Sequence, residues 1–142
     1  MRALLDVNVL IALFDSAHIR HRDARDWFAR NIAEGWASCP ISQNGFVRII
    51  SQPAYPKPVP TSHAMELLAA AVSTEHHEFW DDDISLLDTK RFARDRIHGP
   101  RQLTDAYLLG LSVAHGGRFV TFDTAVVSSA VRGAAARHLH VI

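Results

Sequence analysis

A single cysteine, Cys39, is the first thing this sequence has too little of. One thiol closes no internal disulfide, so burial and hydrogen bonding must hold the chain together, and a reducing cytoplasm suits it. Long apolar runs are missing as well. The most hydrophobic stretch, "LLDVNVLIALF", is broken by an aspartate and an asparagine and falls short of the roughly 20 residues that a membrane helix needs. It also lacks the basic start and small-residue cleavage site of a signal sequence, so neither a membrane span nor a leader is expected. Charge of one sign is absent: 15 Lys and Arg face 15 Asp and Glu. Bulk charge therefore announces no polyanionic partner, and such a partner would need a local basic patch. No repeat, G-x-x-x-x-G-K-[ST] or G-x-G-x-x-G appears, which removes the common phosphate loops. The prolines concentrate in "QPAYPKPVPTS", Gln52 to Ser62, an extended surface connection too short to separate domains.

What is present suits one soluble domain: 142 residues, 48% hydrophobic and 21% charged. Short apolar runs alternate with helical periodicities. Ala3 to Val7, Trp36 to Cys39, His76 to Trp80, "RFVTF" and "HLHVI" read as strands. Helices are expected over 8–14 and 20–33, from a Ser42 cap to Ile50, and from a Thr61 or Ser62 cap to Ser73. Others are expected over 84–87, from a Thr104 cap to His115, and over 124–131. This alternation predicts an α/β domain with a mainly parallel sheet covered on both faces. In such sheets ligands collect where strands end.

Three carboxylates fall at such places. Asp6 ends the first strand, Asp123 follows "RFVTF", and Asp105 lies in the first turn of the Thr104 helix. Asp105 alone is accounted for by the helix dipole and Asp123 alone by turn chemistry. Asp6 is different, because Leu5 and Val7 flank it and an unpaired buried carboxylate is costly. Three carboxylates at one sheet edge repel one another, and all-oxygen ligation of Mg²⁺ or Mn²⁺ reconciles them.

"LLDVNVLIAL", "CPISQNGFVRI" and "HGPRQLTDAYLLGLSVAHGGRFVTFD", in this order and spacing, resemble the PIN-domain ribonucleases, most closely the VapC toxins of toxin–antitoxin modules. The resemblance spans essentially the whole chain and implies a three-layer α/β/α domain. It implies that Asp6, Asp105 and Asp123 bind Mg²⁺ or Mn²⁺, with Asn8, Thr104 and Thr121 supporting the carboxylates or water. It further implies cleavage of structured RNA such as tRNA or rRNA to 5′-phosphate and 3′-hydroxyl ends, a VapB-type antitoxin and a homodimer. Relatives usually add a glutamate at the start of the helix after the second strand. Here 37–50 contains no acid; Asn44 is the first polar stand-in and Gln43 the second.

Other features compete for a role. "KRFARDRIHGPR" sets Lys90, Arg91, Arg94, Arg96 and Arg101 against one aspartate. It is either a solvated face or, through Arg96 and Arg101, a contact for RNA phosphates. Arg48 is either exposed or a carboxylate partner. Asp81 to Asp83 read as solvated turn chemistry, His18, His21, His76 and His77 as surface or helix-end groups rather than zinc ligands, and Cys39 as a small core residue. Two other functions remain in play. An aspartyl phosphatase would want a second aspartate where Asn8 stands, and a PIN-like binding module could have lost the fourth acid.

Overall fold

The computed structural model describes residues 1–142. Five strands, β1 (Ala3–Leu5), β2 (Trp36–Ser38), β3 (His77–Phe79), β4 (Arg118–Thr121) and β5 (Leu139–Val141), form one sheet in the order β3-β2-β1-β4-β5. Every neighbouring pair is parallel, with Leu4 opposite Ala37 on one side and Phe119 on the other. The helices are α1 (Val7–Phe14), α2 (His21–Asn31), α3 (Pro40–Ile50), α4 (Thr61–Val72) and α5 (Leu103–Ala114).

The strands are apolar because both faces are covered. Leu5, Trp36 and Val120 pack with Leu10, Trp27, Phe46 and Leu68 from α1 to α4. Leu4, Ala37 and Phe119 point the other way, against Leu108, Leu111, Trp80 and Phe92. The result is a three-layer sandwich, with the sheet between a layer of α1 to α4 and a layer made largely of α5. The chain lays strands outward from β1 to β3, then returns to place β4 on β1's free side. Between β1 and β4 the winding reverses, the place where open α/β sheets bind ligands. No helix is long and apolar enough to cross a membrane.

Several expected boundaries move, for local reasons. β1 stops at Leu5 because Asp6 is the N-cap of α1. Ser42 is no cap: Pro40, with its fixed φ and missing N–H, takes the first position of α3. Ser42 instead accepts a hydrogen bond from the Cys39 N–H at 3.0 Å. Pro60 likewise precedes α4, so Thr61 is its first residue and neither Thr61 nor Ser62 is the cap. A 3₁₀ turn over Pro100–Gln102 runs straight into α5 and leaves Thr104 inside it rather than capping it. The helices expected over 84–87 and 124–131 do not form. Ser85 Oγ and Asp123 Oδ1 accept from the N–H two residues ahead, at 3.1 and 2.7 Å, and close local turns instead. Only a short 3₁₀ turn remains, at Ser128–Ala130. At the far end of α5, Gly116 adopts φ +68° and halts the helix before β4.

Candidate functional site

Asp6 is fixed from both sides by its own backbone. Its N–H donates to the Val120 carbonyl at 2.9 Å, the last rung between β1 and β4, and its carbonyl accepts from Val9 and Leu10 at 3.0 Å each. The residue is thus the joint between strand and helix. Its side chain is buried; one carboxylate oxygen accepts from the Val7 N–H at 2.7 Å and the other from the Thr121 hydroxyl at 2.5 Å.

Thr121 organises the rest. Its hydroxyl donates to Asp6 while accepting from the Asp123 N–H at 3.0 Å and the Asn8 amide at 3.3 Å. A hydroxyl has one proton and two lone pairs, and all three are used. Asn8 Oδ1 in turn accepts from the Phe122 N–H at 3.4 Å. The last residue of β4 therefore ties Asp6 to the backbone that presents Asp123, and Asn8 holds the turn between them.

Replacing Thr121 with valine keeps the shape and removes all three bonds. The RNA cleavage that the PIN-domain resemblance implies is expected to fall about 10- to 100-fold in the Thr121→Val chain, the usual loss when a supporting partner of a ligating group goes. Thr121→Ser retains the hydroxyl and should recover most of it; equal loss in both variants would assign Thr121 to packing alone.

Asp105 enters from the first turn of α5, half-buried, whereas Asp123 is exposed. The Asp105 carboxyl is pushed up to about 7, by burial first, then by the charges of Asp6 and Asp123 and a hydrogen bond shared with Asp123. Burial also raises Asp6 and Asp123's charge adds to it, while Thr121, Val7 and Asn8 pull the other way. The structure therefore brings the three aspartates into one electrostatic unit. No three His, Cys, Asp or Glu side chains are drawn together tightly enough to form a finished metal cage. The donors are all carboxylate oxygens, the type a hard divalent cation takes, and burial followed by the charges of Asp6 and Asp123 favours a proton on Asp105 while no cation is bound.

The remaining sequence candidates are placed less centrally. Thr104 is exposed near the start of α5, and its hydroxyl bonds none of the carboxylates. Gln43 donates its amide to Ser38 Oγ at 3.0 Å. Asn44 is exposed, and with Gln43 and Arg48 it lines the groove between α3 and α4. Neither amide hydrogen-bonds an aspartate. Gly45, beside them, abuts the first residue of α1: a Cβ there would stand 2.6 Å from a Val7 methyl. The face of α3 closest to Val7 thus has no room for any side chain. Arg48 makes no ion pair.

Two features escaped the sequence reading. The 81–83 turn is not wholly solvated, because Asp82 Oδ1 is buried without a partner. It lies near Cys39 and Tyr107, whose thiol and hydroxyl are pushed up by burial and further by Asp82. Asp83 points elsewhere, to His115 Nε2 at 3.1 Å. Phe92, in the basic stretch, is fully buried against α5, and only its aromatic character amid charged neighbours hinted at that.

Comparison with known proteins identifies the family. Residues 3–130 match the PIN domain family. The chain is 58% identical over 139 residues to ribonuclease VapC44 of Mycobacterium tuberculosis H37Rv, covering 98% of both chains. It is 43% identical over 135 residues to ribonuclease VapC39 of the same strain, covering 94% of this chain and 96% of that one. A chain from the crystal structure of VapBC2 from Rickettsia felis, bound to a DNA fragment from their promoter, superimposes with a TM-score of 0.55 at 15% identity. It covers 87% of this chain and 89% of that one, and the likeness bears on the fold alone. With three aspartates gathered at the switch point of a parallel sheet, and with these relatives along nearly its whole length, the chain belongs to the PIN-domain family, in its VapC ribonuclease branch.

Proposed function

We propose that this protein is the ribonuclease toxin of a VapBC-type module, and that it cuts structured cellular RNA such as tRNA or rRNA. The observation that carries the reading is the set Asp6, Asp105 and Asp123: Thr121 joins Asp6 to Asp123, and charge couples Asp105 to both. These three would hold Mg²⁺ or Mn²⁺, which lowers the pKa of a bound water and offsets charge building on the phosphodiester. The chain's own contribution is positioning. Thr121 and Asn8 fix Asp6 and Asp123 relative to one another, and Asp105 yields its proton when positive charge arrives. Asn44 is the freer of the two α3 amides, since Gln43 is committed to Ser38, and it is the neutral oxygen donor we assign to the rim of the site. Arg101, on the turn leading into α5, and Arg96 just before it are exposed cations suited to RNA phosphates.

A VapB-type antitoxin that masks the acidic edge and a homodimeric toxin complete the reading. The relatives' names and the VapBC2 likeness support the antitoxin. The missing fourth acid favours a second reading, a binding module that no longer cuts. Incubating the purified chain with total RNA separates the two. Cleavage in Mg²⁺ or Mn²⁺ that EDTA stops, leaving 5′-phosphate ends, supports the nuclease. RNA or antitoxin binding with no cutting under either ion supports the module, and phosphate release from small phosphomonoesters would favour the phosphatase instead.

A further inference from the structure

Outside the 90–101 stretch and Arg132, Arg2 pairs with Glu78, Arg20 with Asp23, Arg22 with Asp26 and Arg118 with Glu34, while Arg25 and Arg30 on α2, Arg48 on α3 and Arg137 before β5 stand unpaired and apart. The stretch from Lys90 to Arg101 differs in gathering its unpaired cations within one short segment. Arg91 pairs with Asp88 at 3.5 Å, but Lys90, Arg94, Arg96 and Arg101 are exposed and form no ion pair, even with Asp95 among them. Arg132 joins them from another segment of the chain, its Nε donating to the Thr89 carbonyl at 3.0 Å and its N–H to the Arg91 carbonyl at 2.8 Å.

This basic stretch is also held still. Phe92 is fully buried and forms an antiparallel bridge with Val131, and the Ala93 N–H donates to Ala130 at 2.9 Å. The Phe92 ring fills a notch that α5 leaves open at Gly110, where a Cβ would lie 2.5 Å from the ring. The His98 N–H closes onto Gln102 Oε1 at 2.8 Å. One end of the arm therefore runs into α5 four residues before Asp105, and its brace, 128–132, follows the turn that presents Asp123. Clustered cations repel one another unless a polyanion shares the surface, and an arm already ordered loses little entropy on binding one.

We propose that Lys90, Arg94, Arg96 and Arg101, with Arg132, form a fixed track that holds the phosphates of single-stranded or looped RNA and leads its backbone to the three carboxylates. The inference rests on the ribonuclease reading and extends it from two arginines to a braced surface with a direction.

The test is binding of a fluorescein-labelled single-stranded RNA to the full chain in EDTA, followed by anisotropy across a salt series. Each phosphate contact with a single strand contributes about 0.7 to the slope of log K against log salt. The triple variant Lys90→Gln, Arg94→Gln, Arg96→Gln should lower that slope by about 2 and weaken binding at low salt at least tenfold. The double variant Arg22→Gln, Arg25→Gln on α2 should bind as wild type does. Cleavage by the triple variant should show a raised KM with kcat largely kept. Wild-type slope and affinity in the triple variant would overturn the track, as would equally tight binding of polyglutamate. If the triple variant loses slope but the wild-type chain cuts no RNA in Mg²⁺ or Mn²⁺, the track stands as an RNA surface and the ribonuclease reading falls.

Discussion

Asp105→Asn is expected to abolish RNA cleavage and yet make the cation-free protein more stable above neutral pH. Asp105 has a folded-state value of about 7 against an ordinary 3.8. The folded chain therefore keeps a proton that the unfolded chain has released between those values. Stability from this group is fully present below about pH 4 and is lost as pH rises through about 7. By pH 8 the wild type holds three negative charges at one sheet edge, whereas the asparagine variant holds two. The melting-temperature difference, variant minus wild type, should be near zero at about pH 4 and below, grow between about pH 4 and 7, and level off by about pH 8. For a domain of this size each 1 kcal/mol appears as ~2–4 °C. Glu34 and Asp15 shift in the opposite direction but are common to both proteins and drop out of the difference. Asp6, which shifts in the same direction, is relieved of the Asp105 charge in the variant and adds to its gain. Adding Mn²⁺ should raise the melting temperature of the wild type and leave the variant nearly unchanged. A variant less stable than wild type at pH 8 would contradict this origin of the charge strain.

Asp6→Ala should likewise all but abolish cleavage, a loss of roughly a thousandfold or more, on the scale of removing a group worth about 4 kcal/mol to the transition state. Asp6 is buried, so its loss reaches further than one ligand. It strands the Thr121 hydroxyl, whose other two bonds hold Asn8 and the Asp123 backbone. It also takes away the side chain that the first N–H of α1 bonds. Asp6→Asn keeps some of that hydrogen bonding and separates the two roles: circular dichroism should show it folded, while cleavage stays as low as in Asp6→Ala. Cleavage by either variant at the wild-type rate would remove Asp6 from the site.

The three aspartates of the candidate site were more legible in the sequence than the helix ends. Asp6 was legible because a carboxylate within an apolar strand is costly unless something balances it, and Asp105 and Asp123 because strand ends and helix starts converge on one edge of a parallel sheet. The supporting bonds of Thr121 were legible only as a resemblance. Three contacts on one hydroxyl depend on how the β1 and β4 ends meet, which no local pattern encodes. Caps were misplaced wherever a serine or threonine competed with a proline: Pro40, Pro60 and Pro100 set the starts, and Ser42, Thr61 and Thr104 fell inside. The empty shoulder at Gly45, the Phe92 notch at Gly110 and the partnerless Asp82 oxygen are tertiary facts. Each joins residues too far apart for periodicity to connect them.

The central claim is that Asp6, Asp105 and Asp123 together hold one divalent cation, and a calorimetric titration of the whole protein with Mn²⁺ tests it most directly. Run at pH 7 in two buffers of different ionisation enthalpy, it counts protons as well as ions. One ion per chain should bind with release of about half a proton, since a carboxyl near 7 is about half protonated there. Release should vanish by about pH 8.5, and Asp105→Asn should remove both the proton and most of the affinity. Saturable binding that is unchanged in Asp105→Asn, or no saturable binding by the wild type, would contradict a cation held by these three aspartates.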